Sequence, residues 1–136
     1  MRLQVVSQER KLLDTEVESV TAPTTEGEIT ILARHIALFT TLDTGELRYV
    51  ENGVTHELVV SPGFLTMSPQ NEVTVMVDSA VLAREISVQK AEEAITAAQE
   101  TMKYSEDRRE LIMAEASLRR AMLEIKVAQK YKSTTV

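Results

Sequence analysis

Cysteine and tryptophan are missing from the 136 residues, and glycine and proline are scarce at four and three. Without cysteine there can be no disulfide staple and no thiolate metal site, which fits a reducing compartment. The only histidines are His35 and His56, and neither has a second histidine nearby to suggest a metal centre. No glycine-rich loop of the dinucleotide or mononucleotide kind occurs. Ser61, beside Pro62-Gly63, reads as a turn residue rather than a nucleophile, and no pair of carboxylates is marked out as an acid and a base. These absences argue against an enzyme. No apolar run approaches the ~20 residues that span a bilayer. The chain opens on a strand pattern, Arg2-Leu-Gln-Val-Val, with no apolar signal region, so membrane association is expected only through partners. A net charge of −6 disfavours nucleic acid, where phosphate neutralisation drives binding.

The scarce residues are unevenly placed. Gly27, Gly45, Gly53, Gly63, Pro23, Pro62 and Pro69 all precede residue 70, and neither type occurs afterwards. Breakers mark turns between strands, whereas a breaker-free stretch rich in Ala, Glu, Lys, Gln and Met suits helices. The expectation is a β module over residues 1–85 and a helical module over 86–136. In the first, short β-branched segments alternate with turn signals, as in an antiparallel sandwich or barrel. Glu28-Ile-Thr-Ile-Leu alternates with period two. Asn52-Gly53 between Glu46–Val50 and Thr55–Val60 is the strongest hairpin signal. Phe64–Met67, Glu72–Val77 and a last strand over Ala80–Ile86 complete the series.

In the second module, Val88, Ala91, Ile95, Ala98 and Met102 form one stripe, and Leu111, Ala114, Leu118, Ala121, Ile125 and Ala128 form another. Steps of three and four average 3.5 residues, so two such stripes can pack as a left-handed pair. The short Lys103–Asp107 link makes the pair antiparallel. Ser87 and Ser105 are the expected N-caps. Alanine buries little area, so at ~25 cal/mol per Å² an alanine seam holds weakly. Such a seam fits both a static hairpin and one that detaches.

A resemblance adds to this reading. Thr24-Thr-Glu-Gly-Glu-Ile-Thr-Ile-Leu-Ala-Arg-His-Ile-Ala-Leu-Phe-Thr, with Gly45-Glu-Leu-Arg, resembles the signature of the epsilon subunit of F-type ATP synthases. Pro62-Gly63-Phe64-Leu, Asn71–Asp78 and Glu115-Ala-Ser-Leu-Arg-Arg-Ala-Met-Leu are similar to later parts of that family. The resemblance implies a ten-stranded sandwich with a C-terminal helical hairpin on the central stalk of the rotor. Its implied partners are the gamma subunit, the c-ring and the alpha/beta catalytic head. By position, Glu26, Glu28 and His35 fall in the rotor and c-ring contact region. Where the family usually has Pro-Gly-His, this chain has Ala33-Arg34-His35, so the turn is expected to differ. The hairpin is implied to inhibit ATP hydrolysis, with Arg119, Arg120, Lys126 and Lys130 making its final helix basic. Some members bind ATP through Ile-Asp-x-x-Arg-Ala. Here Ile86-Ser87-Val88-Gln89-Lys90-Ala91 leaves Lys90 and Arg120 as the matching cations, and Glu124 stands where another basic residue is found. Lysine lacks the planar fork of arginine, so ATP binding is expected to be weak or absent and no cofactor is implied. The implied place is peripheral, on the cytoplasmic face of a bacterial inner membrane. The competing reading is a free-standing interaction adaptor of the same architecture.

Overall fold

A computed structural model describes residues 1–135 and divides into two compact units, Met1–Leu82 and one that begins at Ala83. The first unit holds ten strands: β1 (Arg2–Val6), β2 (Lys11–Glu16), β3 (Ser19–Thr24), β4 (Gly27–Leu32), β5 (Leu38–Leu42), β6 (Gly45–Glu51), β7 (Val54–Val60), β8 (Gly63–Met67), β9 (Glu72–Val77) and β10 (Ala80–Leu82). Their order is β10-β7-β6-β3-β5-β8-β9-β1-β2, with β4 paired on β3. Every pairing is antiparallel except β1 with β9, which runs parallel with Leu3 opposite Val73 and Val5 opposite Val75. Alternation explains the core. Leu3, Val5, Val20, Ile31, Leu47, Leu58, Leu65, Val73 and Val75 point inward and are buried, so each strand contributes one face to a shared interior. Asn52 and Gly53 both take positive φ, 51° and 76°, which suits the two-residue turn joining β6 and β7.

Two expectations about the strands are corrected. Strand β5 lies in a segment whose pattern gave no strand. The last strand, expected to reach Ile86, stops at Leu82, where Ala83–Glu85 turn into a 3₁₀ helix.

On β1, the Arg2 guanidinium bridges its neighbours, bonding both Asp14 oxygens from Nε and Nη2 at 2.9 and 2.8 Å and Glu72 from Nη1 at 2.8 Å. These hydrogen bonds from Arg2, with a further one from Lys11, hold the Asp14 carboxyl far below the usual carboxylate range. A depressed folded pKa means that the stabilisation is complete above the ordinary value near ~4 and fades as pH falls below it. Acid unfolding should therefore begin at lower pH in Asp14→Asn relative to its own neutral-pH stability than in the parent. Parallel denaturation midpoints from pH 7 to pH 2 check this, and curves that stay parallel would sink it.

The second unit contains α1 (Val88–Tyr104) and α2 (Arg108–Thr135). Ser87 caps α1, its Oγ accepting the Lys90 N–H at 3.2 Å. Asp107 rather than Ser105 caps α2, with Oδ1 accepting the Arg109 N–H at 2.9 Å. Ser105 is already used as the C-cap of α1, its N–H bonded to the Thr101 carbonyl. Ala91, Ala98, Ala114, Ala121 and Ala128 are buried along the stripes, and Val127 joins them. Met102 departs from its stripe and is exposed, because it sits in the last turn of α1, where the facing helix is only beginning at Arg108.

Candidate docking surface

Strand β5 carries Leu38, Thr40 and Leu42 inward and Phe39 and Thr41 outward. In register, Thr41 lies opposite Phe64 of β8, and Phe64 lies opposite Met76 of β9. Phe39 is one step along β5, so its ring reaches Phe64 diagonally. The two rings stack with centroids 5.5 Å apart at an interplanar angle of 27°. Phe39 is 65% exposed, Phe64 46% and Met76 40%. Isolated exposed apolar residues are ordinary, but three adjoining ones on a rigid sheet form a patch of the kind that marks an interface. Toward the far end of β5 the patch opens into a shallow groove of about 590 Å³ bordered by Val6, Thr41, Pro62 and Asp78.

The residues singled out by resemblance are distributed around this face unevenly. Glu26 lies in the turn between β3 and β4, its N–H donating to Thr24 Oγ1 at 3.2 Å. The same turn is fastened to β5, because the Thr25 N–H donates to the Thr41 carbonyl at 3.2 Å. His35 lies in the loop that leads into the other end of β5, and its Nδ1 donates to the Ile36 carbonyl at 2.8 Å. Glu26 and His35 therefore flank the patch at opposite ends, separated by a strand that spans roughly 13 Å at about 3.3 Å per residue. Glu28 is not part of it. Its Oε1 accepts from Arg48 Nη2 at 2.9 Å on the outer face of β3, β4 and β6. Phe39, Phe64 and Met76 were not foreseen, and the one signal available was two phenylalanines in a chain with only two.

On the hairpin, Arg119, Lys126 and Lys130 are spaced by seven and four, which puts them on one exposed face of α2. Ile112 is exposed one repeat earlier on that face. Arg120 is a quarter turn away, with Nε 3.8 Å from Glu124 Oε2. Lys90 lies in the first turn of α1, and no hydrogen bond or ion pair joins it to Arg120 among the described residues. Among the described residues no group of three His, Asp or Glu side chains could hold a metal ion. No helix there is long and apolar enough to cross a membrane.

A hydrogen-bonded sheet with an apolar outer patch and a helical hairpin with a cationic face are the features of a subunit that docks on other proteins. Comparison with known proteins gives it a family. Residues 1–83 match the beta-sandwich domain of the ATP synthase delta/epsilon chain, and residues 84–129 match that family's long alpha-helix domain. The ATP synthase epsilon chain of Herpetosiphon aurantiacus is 41% identical over 129 residues, covering 95% of this chain and 94% of that one. That of Dehalococcoides mccartyi strain CBDB1 is 42% identical over 134 residues, covering 96% and 93%. A chain in the cryo-EM structure of the Euglena gracilis mitochondrial ATP synthase, described as OSCP/F1/c-ring in rotational state 1, superposes with a TM-score of 0.77. It is 28% identical, with 93% of this chain and 79% of that chain covered. The chain belongs to the ATP synthase delta/epsilon family. It is a non-catalytic subunit of the epsilon type, peripheral within a membrane-bound complex.

Proposed function

We propose that this subunit rides on the rotor of an ion-driven ATP synthase at the cytoplasmic face of a bacterial inner membrane. The sandwich seats on the gamma subunit and the c-ring, and the hairpin restrains ATP hydrolysis by the alpha/beta head. The observation that carries the reading is the Phe39–Phe64–Met76 patch on β5, β8 and β9. A coupling element must transmit torque, so its contact face belongs on hydrogen-bonded strands rather than on a yielding loop. Large aromatic side chains supply most of the binding energy in such contacts. A free-standing adaptor would leave this face without the stalk it fits.

The cationic face formed by Arg119, Lys126 and Lys130 supports the braking role through attraction to acidic loops, screened over ~8 to 10 Å at ordinary salt. ATP hydrolysis by the cognate head with gamma, measured with the whole chain or with one ended at Glu85, tests it. Several-fold slowing by the whole chain alone is the expected result, and equal rates would remove the brake.

The hairpin is proposed to hold no nucleotide. Arg120 faces Glu124 at 3.8 Å, so an incoming phosphate would meet a carboxylate beside its best cation. Calorimetric titration of the isolated chain with ATP should show no heat of binding in the micromolar range, and a micromolar isotherm would overturn this.

A further inference from the structure

We propose that Arg34 is the residue by which this subunit reads a carboxylate on its rotor partner, fixing which way round that partner lies on the apolar face. The inference rests on the docking reading above and adds the partner's chemistry at one end of the face.

The first observation is backbone geometry. Arg34 has φ of 67°, in the left-handed region that a side chain with a Cβ disfavours and that glycine or asparagine enters readily. An outlier held in place by its surroundings invites a functional explanation. Here the surroundings are specific. Asn71 Oδ1 accepts the Arg34 N–H at 2.8 Å, and the His35 N–H donates to the Leu32 carbonyl at 3.1 Å. Asn71 is itself tied down, with its carbonyl accepting the Arg2 N–H at 3.1 Å and its N–H donating to the Ser68 carbonyl at 3.2 Å. The loop between β4 and β5 is thus anchored to the turn before β9 and to the start of β1.

The second observation is charge. Arg2, Lys11 and Arg48 in the sandwich are held in ion pairs, whereas Arg34 is exposed and forms none among the described residues. Arg10 also lies outside the ion pairs, but it occupies the β1–β2 turn with ordinary backbone geometry. An arginine presents a planar fork that matches a carboxylate bidentately.

The third observation is position. Ile36, two residues on, is 79% exposed, and Phe39 follows at the start of β5. A cation, an exposed isoleucine and the aromatic patch therefore run together along the chain, in the mixture of arginine and large apolar groups that interfaces favour. At the other end of β5 the face is bordered by Glu26 and Asp78. A face with a cation at one end and carboxylates at the other accepts a partner of matching polarity in one orientation only.

The test measures binding of the full-length chain to the cognate gamma–c-ring subcomplex over a range of salt concentrations. Arg34→Gly and Arg34→Asn remove the charge while suiting the left-handed backbone, so both should melt at or above the parent temperature. Each is expected to bind about tenfold more weakly, as loss of one charge pair implies, with a shallower dependence on salt. Arg34→Lys should keep the steep salt dependence with part of the affinity. Parent-like affinity and salt dependence in both neutral variants would overturn the proposal. Weaker binding with unchanged salt dependence would also overturn it, since the loop rather than the charge would then matter. A parent chain that fails to bind the subcomplex at any salt would overturn the docking reading itself.

Discussion

Replacing Gly63 by alanine is expected to cost the sandwich about 3 kcal/mol, at the upper end of overpacking effects. Gly63 begins β8 and faces inward opposite Val77. A Cβ at this position would lie 2.0 Å from the Met76 carbonyl oxygen and 2.8 Å from the Val77 Cα. Those atoms are backbone, so no rotamer change relieves the clash. The β8–β9 pairing itself has to open, at the centre of the order that links β5 to β1. For a unit of this size, with about 4 to 8 °C per kcal/mol, the melting temperature should fall by roughly 12 to 24 °C. Thermal melts followed by far-ultraviolet circular dichroism measure it, and a fall of less than about 4 °C would mean that the strands separate at little cost. Gly53→Ala makes a useful contrast. Nothing lies within 4 Å of a Cβ there, and only its φ of 76° opposes the change, so the cost should stay near ~1 kcal/mol.

The second large effect concerns binding rather than folding. Phe39→Ala and Phe64→Ala should each weaken attachment to the gamma–c-ring subcomplex about 30-fold, corresponding to about 2 kcal/mol at an aromatic anchor. Both rings are substantially exposed, so neither truncation opens a cavity in the core. Because the rings stack on one another, either change alone also disturbs the other anchor. The double variant should accordingly lose less than the product of the two single losses. Surface-immobilised titration of the purified variants gives these ratios. Binding within about twofold of the parent in both single variants would move the contact away from this face.

The residues that form the patch are also those that hid it from the sequence. A strand is legible when apolar and polar residues alternate, and this held for β4, β6 and β9, whose outward positions are mostly polar. In β5, Leu38-Phe-Thr-Thr-Leu42 places a phenylalanine outward and a threonine inward, so the alternation disappears and the segment reads as a connection. β8 has the same fault at Phe64, but Pro62-Gly63 announced its start. A local rule broken at a binding face is a common signature of function. The family resemblance implied ten strands, as the structure has, and named Glu26 and His35, which lie at opposite ends of β5. It also named Glu28, whose carboxylate is turned to Arg48 on the outer face of β3, β4 and β6. The helices were legible almost to the residue because a seven-residue stripe persists over many turns. Their caps were less so: Ser105 and Asp107 are both good caps, and only the structure assigns one to each helix. The parallel pairing of β1 with β9 had no sequence signal, since pairing across such a distance leaves no mark on local composition.

That pairing sets an order of events during synthesis. Arg2 and its partner Glu72 are separated by 70 positions. A ribosome adding about 5 to 20 residues per second needs several seconds to deliver the second after the first. Throughout that interval β1 can pair only with β2, and the hydrogen-bonding edge that β9 will occupy stays open to other strands. A release at residue 70 would leave that edge permanently unpaired. A chain interrupted before the ninth strand has paired with the first should therefore present an open sheet edge to the cell's quality-control machinery.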